Sequence, residues 1–194
     1  CKITGEKIPI ILNYGDMPIA NDFSKKINKK NNYQMKIAFN ENNGVFQLVD
    51  APKPKKLFNK NYAFMSSTSK NMQNHFRQVA NIIKKTFMKN KSNIMEIGCN
   101  DGIFLQNFRK FNHLGVEPSK NVCQISKSKK LNVLNSFFSK KIIEKNKLKN
   151  KFDIIYAANV ICHIPNMISL FKCVEKTLKQ NAFFIFEEPY LGAM

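Results

Sequence analysis

The stretch Ile94-Met95-Glu96-Ile97-Gly98-Cys99-Asn100-Asp101-Gly102 carries the reading of the fold. A short apolar run with one acid, Glu96, leads into a tight turn holding Gly98 and Gly102, and the amphipathic run Ile103 to Phe111 follows. The pattern predicts strand, glycine turn, helix. Gly98 lets the backbone approach a ligand closely, and the N-terminus of the predicted helix offers unpaired N–H groups. Glycine-rich turns also occur in nucleotide-binding and in ligand-free α/β proteins, so the neighbouring segments have to discriminate.

Downstream, strand-like runs recur at His113 to Glu117, Asn132 to Asn135, Phe152 to Ala158 and Ala182 to Glu187. Helical patterns lie between them at 103–111, 119–129, 138–147 and 167–178. This alternation predicts a mostly parallel sheet with right-handed crossovers, its ligand beyond the carboxyl ends of the strands. Glu117 ends the second strand, 15 residues past Gly102 and 21 past Glu96. A carboxylate there can accept from both hydroxyls of a ribose, and capping of the next helix is the plainer alternative. A nicotinamide enzyme would show the tighter Gly-x-Gly-x-x-Gly, which the chain lacks. After the third strand, Phe137 can stack on a base or simply be buried. After the fourth come Asn159 and His163, four apart, so a helical turn would set them on one face of the cleft. An amide there can donate or accept, and an imidazole can move protons near neutral pH, although a lone His in apolar company is more often structural. The Asn/Asp-Pro-Pro-aromatic motif of amino-methylating nucleic-acid enzymes and a Pro-Cys nucleophile pair are both missing from this place.

Upstream, Met72, Phe76, Val79, Ile82, Ile83 and Phe87 repeat at three and four, predicting a helix after the capping candidates Ser66 to Ser69. Residues 56–90 read as a linking helical segment. Residues 1–55 read as a separate small module of strands and turns, with runs at Ile8 to Leu12 and Gly44 to Val49. Turn signals lie at Tyr14-Gly15-Asp16 and Asn42-Asn43-Gly44, Lys25 to Asn32 reads as an exposed loop, and Ala51-Pro52-Lys53-Pro54 marks the boundary.

A formal charge of +19 first points to nucleic acid or an anionic membrane surface. Only Arg77 and Arg109 are arginine, however, and the lysines are scattered among abundant Asn, Ile and Phe, residues with A/T-rich codons. Base composition of the genome explains that pattern better than a dedicated nucleic-acid surface. Five cysteines, at 1, 99, 123, 162 and 173, form no close-spaced ligand pair and are expected to be reduced thiols in a cytoplasmic protein. No run is long and apolar enough to span a membrane, and no secretory leader is expected.

The order acidic-x-Gly-x-x-x-Gly resembles the first motif of class I S-adenosylmethionine (SAM) methyltransferases. A more specific resemblance rests on stretches that occur in one order. They are Gln47-Leu48-Val49, Leu57-Phe58, Tyr62 to Ser69, Glu96 to Gly102, Leu114 to Val122, Ala158 to Pro165 and Glu188-Pro189-Tyr190-Leu191. Together they look like the SAM-dependent C-methyltransferases that act on nucleotide-linked ketodeoxysugars. The resemblance implies a Rossmann-like core at 91–194, incomplete at its C-terminal end, behind the 1–55 module. It implies SAM held by Gly98, Asn100, Asp101, Gly102 and Glu117, with Glu96 anchoring the turn and Phe137 near the adenine. Tyr62, Ser66 and Ser67 would close over the methionine end. Asn159 would bind the sugar, and His163 would face the reacting centre as the catalytic candidate. The chemistry implied is deprotonation beside the sugar ketone and attack of the enolate carbon on the SAM methyl.

Two departures follow. The family's N-terminal zinc site resembles two Cys-x-x-Cys pairs, whereas here Cys1 is followed by Thr4, and Asn40 and Asn43 stand at the second pair. Neutral oxygens replace thiolates poorly, so zinc is not expected. Family members also continue into a Tyr-His-Glu-His stretch thought to supply the base, and into a further domain. The chain, running from Cys1 to Met194, therefore reads as a fragment that lacks the base and the last strands of the sheet. Other class I small-molecule methyltransferases, an RNA methyltransferase or RNA binder, and a noncatalytic SAM-binding module remain as rivals. The sugar, the carbon methylated and the oligomeric state stay open.

Overall fold

The computed structural model describes residues 1–20, 32–190 and 192. Three strands, β1 (Ile10–Met17), β2 (Tyr33–Asn40) and β3 (Val45–Leu48), form an antiparallel sheet in the order β1-β2-β3. After the one-turn α1 (Pro54–Leu57) comes α2 (Lys70–Phe87), which begins where Ser69 accepts a hydrogen bond from Met72 N at 3.3 Å. The alternating half follows: β4 (Asn93–Ile97), β5 (Asn112–Val116), α3 (Lys120–Ser128), β6 (Val133–Leu134), α4 (Lys140–Lys145), β7 (Phe152–Ala158), α5 (Met167–Thr177) and β8 (Leu178–Glu187). Its five strands are all parallel, in the order β6-β5-β4-β7-β8. The chain therefore starts at the middle strand and builds outward both ways, which opens a crevice at the carboxyl end of β4.

Strand alternation sorts the core into two layers. Ile94 of β4 with Ile154 and Tyr156 of β7 packs under Phe76, Ala80 and Ile83 of α2. Met95, Ile97, Ile155 and Ala157 point the other way, toward Ile143 of α4 and Leu170, Cys173 and Val174 of α5. Glu187, at the end of β8, takes hydrogen bonds from Tyr156 OH at 2.8 Å and His75 Nε2 at 2.9 Å, tying α2 to the sheet. No helix among the described residues is long and apolar enough to cross a membrane.

Three local expectations change. The run 103–111 is a single 3₁₀ turn, Leu105–Phe108, and not an amphipathic helix. Ile103, Phe104, Leu105 and Phe108 are all buried, and the Asn107 amide bonds the carbonyls of Ile103 and Phe104, capturing acceptors that a longer helix would use. The glycine turn thus has no α-helix N-terminus behind it. Tyr14-Gly15-Asp16 is a bulge inside β1, where the register shifts between Asn13 and Asp16 and Gly15 takes φ +71°. The strand β2, which pairs with both neighbours, is an addition to the expected runs, although Tyr33, Met35, Ile37 and Phe39 alternate with Gln34, Lys36, Ala38 and Asn40. Of the lysine- and asparagine-rich stretch expected as a loop, Lys25 to Asn31 lie outside the described residues.

Candidate functional site

A cavity of about 360 Å³ lies at the carboxyl ends of β4, β5 and β7. Its floor is the glycine turn. Gly98 adopts φ +70°, and a Cβ placed there would stand 2.5 Å from Val160 Cγ2, so only glycine fits. Asn100 follows at φ +48°, a conformation Asn tolerates. Its backbone N–H donates to Glu117 Oε2 at 2.9 Å, and Ser119 N donates to Glu117 Oε1 at 2.8 Å. Glu117 is buried with one amide on each oxygen and lone pairs left to face the cavity. Desolvation raises its pKa, opposed by those two amides.

Glu96 also lines the cavity, only 3% exposed, and its Oε2 accepts no hydrogen bond among the described residues. Burial, then the neighbouring Glu117, push it well above the usual carboxylate range. A protonated carboxyl in that position has a hydrogen-bonding atom to offer a ligand.

The roof comes from the segment between α1 and α2. Ser66 N donates to Asn100 Oδ1 at 3.0 Å, and the Asn100 amide returns a bond to Phe64 O at 3.1 Å. Ser67 gives both its N–H, at 3.1 Å, and its hydroxyl to Asp101 Oδ2. Asn121 of α3 holds Tyr62 O at 2.8 Å. These bonds fold the aromatic run Phe58, Tyr62 and Phe64 over the opening, with ring centroids 5.5 and 5.9 Å apart in sequence.

On the far side, the chain leaving β7 turns sharply. Asn159 takes φ +54°, and the 3₁₀ turn Ile161–His163 follows. The His163 ring meets Phe58 edge to face, centroids 5.5 Å apart. Both Asn159 and His163 line the cavity.

Of the residues singled out in the sequence, Glu96, Gly98, Asn100, Glu117, Phe137, Tyr62, Ser66, Asn159 and His163 meet around one space. Asp101, Gly102 and Ser67 do not line it. Asp101 and Ser67 bind one another to fasten the roof, and Gly102, at φ +79°, packs so closely on Leu131 that a side chain has no room. Phe58 and Phe64 belong to the lining without having been singled out as site residues; no periodicity marks them, and only the fold of the 58–68 segment brings them there.

The four positions that resemble a zinc site do come together. Asn43 Nδ2 lies 3.6 Å from Cys1 Sγ, while Thr4 Oγ1 and Asn40 Nδ2 donate to Glu6 Oε2 at 2.8 and 3.3 Å. A thiol paired with one amide, beside a hydroxyl and a second amide on a carboxylate, does not fit a zinc ion, which favours thiolate and imidazole donors.

A central-start parallel sheet with a glycine turn, a buried carboxylate lining the cavity and a crevice above them defines a class I, Rossmann-like methyltransferase domain. Residues 70–192 match the family described as Methyltransferase domain, and the chain belongs to that family. Among solved structures it is similar to a SAM dependent methyltransferase from Archaeoglobus fulgidus, at 18% identity over 60% of this chain and 54% of that one, with TM-score 0.49. A putative S-adenosyl-L-methionine-dependent methyltransferase from Methanococcus maripaludis matches at 16% identity over 73% and 68%, TM-score 0.48. A possible histamine N-methyltransferase from Thermotoga maritima matches at 19% over 58% and 50%, TM-score 0.45. The chain spans about half the length of the first of these. No curated protein matches it.

Proposed function

We propose that the cavity binds SAM and that the protein methylates a carbon beside the ketone of a nucleotide-linked keto-deoxysugar. The observation that carries this reading is the meeting of Asn159 and His163 with Gly98, Asn100 and Glu117 around one space of ligand size. In this reading residues 91–194 hold the cofactor, the 56–90 segment links them to the 1–55 module, and that module stands on the acceptor side. Glu117 offers its free lone pairs to the ribose hydroxyls, and Gly98 and Asn100 give the methionine part its close approach. Phe137 lies against the base, and Tyr62 and Ser66 close the methionine end. SAM supplies an electrophilic methyl group.

The chain's own residues prepare the acceptor. A carbon acid beside a ketone ionises only if charge moves to the carbonyl oxygen, so that oxygen needs a donor. The Asn159 amide is placed to donate, and the His163 imidazole to hold the oxyanion or take a proton. The Phe58 ring orients His163 and excludes water beside it.

A second reading, a small neutral acceptor without a phosphate, is favoured by one observation. Among the described residues no lysine or arginine lines the cavity, although the chain carries 32. A diphosphate would therefore lie outside it. The same observation speaks against RNA threading this space. The test is methyl transfer from labelled SAM to a nucleotide-linked 4-keto-deoxysugar, with calorimetry of SAM alone. Labelling of the sugar carbon that falls at least about a hundredfold in His163→Ala, the scale of general acid–base catalysis, supports the first reading. SAM binding with transfer to a small neutral ketone and none to the keto-sugar would remove it and leave the second.

A further inference from the structure

The turn that carries Asn159 and His163 is fastened from outside the cavity. One oxygen of Glu188 accepts from two successive amides, Val160 N at 2.8 Å and Ile161 N at 2.6 Å. The preceding amide, Asn159 N, donates to Glu187 O at 2.9 Å. Three consecutive N–H groups thus end on two consecutive residues at the end of β8. His163 N then closes on Val160 O at 3.1 Å. Asn159 stands in the left-handed region, which asparagine tolerates, and these bonds hold it there.

Val160, held at its N–H by Glu188, also presses its side chain on the backbone of Gly98. The acceptor-side turn and the glycine turn therefore share one contact, and its height is set from Glu188. The other Glu188 oxygen is buried. The Cys162 thiol lies beside it, and partial desolvation of the sulfur and then this carboxylate push the thiol up to about 12.

We propose that Glu188 is a positioning residue, a carboxylate clamp that sets where Asn159 and His163 stand relative to the glycine turn. The proposal rests on the reading of the cavity as a methyl-transfer site. It requires that loss of the clamp displace His163 in a chain that is still folded, which a purely stabilising contact would not do.

The chain has three histidines, 75, 113 and 163, so imidazole NMR resolves each, with His163→Gln to assign. In Glu188→Ala the His163 ring signals are expected to leave the position set by Phe58, while His113 stays in place. Glu188→Gln keeps an acceptor oxygen for the two amides and is expected to restore the His163 signals. It also removes the charge beside Cys162, so peptide-resolved alkylation of that exposed thiol should start at lower pH, about tenfold faster for each unit its pKa drops. If Glu188→Ala does not fold, Glu188→Asp, too short to reach both amides, carries the same expectation for His163. His163 signals unchanged in the folded Ala or Asp variant, or not restored by Gln, would overturn the proposal. Calorimetry of SAM on the wild-type chain runs alongside: failure to bind would remove the reading of the cavity, while the NMR outcome for the clamp would stand.

Discussion

In the five-stranded sheet Ile94, Met95, Ile154 and Ile155 are fully buried, whereas in the three-stranded sheet Ile10, Ile11 and Leu12 stand 53%, 48% and 43% exposed. The first sheet has helices on both faces and is held by the removal of apolar surface from water, about 25 cal/mol per Å². The second is held by its ladder and by polar links, such as Lys2 N to Gln47 Oε1 at 2.8 Å and Gln34 Nε2 to Asp16 Oδ1 at 2.5 Å. The contrast teaches where precision resides. Every residue that shapes the floor of the cavity hangs from the carboxyl edge of the buried sheet, which cannot shift without opening its core.

That contrast can be broken by substitution. The largest effect is expected for Ile155→Ala, which empties a site enclosed between β4, β8 and α5 and should cost about 2–5 kcal/mol in denaturant unfolding. A loss under about 1 kcal/mol would mean that this sheet is not the rigid frame described. Next, Glu117→Ala should weaken SAM binding by about 1–3 kcal/mol in calorimetry, since it leaves Asn100 N and Ser119 N without their acceptor and withdraws the carboxylate proposed to take the ribose hydroxyls. Equal affinities would remove that role.

Glu96 gives a smaller effect with a definite sign. Its pKa is raised in the folded chain, so its contribution favours folding below the ordinary carboxylate value and is lost as pH rises through the folded value. Melting temperatures of Glu96→Gln and wild type should therefore keep a constant offset at acid pH and diverge in favour of the variant as pH rises. An offset independent of pH would show that Glu96 ionises freely. The smallest effect is expected for Leu12→Ala on the exposed strand, within about 0.5 kcal/mol. A loss comparable to Ile155→Ala would mean that β1 is buried against something in solution.

The same division explains what was legible beforehand. β4, β5 and β7 announce themselves as apolar runs ending in the glycine turn, Glu117 and the Asn159 segment, so most of the cavity could be read from residues at strand ends. β2 shows the limit of that reading: Tyr33, Met35, Ile37 and Phe39 alternate with Gln34, Lys36, Ala38 and Asn40, a strand pattern, but the run follows directly on a lysine- and asparagine-rich stretch that reads as loop. The run 103–111 misled for a different reason, since side chains buried around the whole turn imitate one apolar stripe. Asp101 and Ser67 have the composition of ligand-binding residues, but whether they face a cavity or each other depends on a contact across 34 residues of chain. Local pattern does not contain that information. The comparison with known proteins bears on the class of enzyme, and the sugar acceptor rests on the resemblance and on the Asn159–His163 pairing.

A cavity with no lysine or arginine among its described lining residues, set inside a chain of net charge +19, also has a kinetic side. The far field of the molecule repels cations and gathers anions, while the crevice itself, with Glu96 held toward its neutral form, lacks that positive bias. For a cationic methyl donor the approach is uphill until the last few ångströms; for a phosphate-bearing acceptor it is downhill until the mouth. Added salt shortens the outer field to about 8 Å at physiological strength and leaves the enclosed carboxyls largely unscreened. Ionic strength should therefore quicken the arrival of one ligand and slow the other, and the order in which they load becomes a property of the medium as well as of the protein.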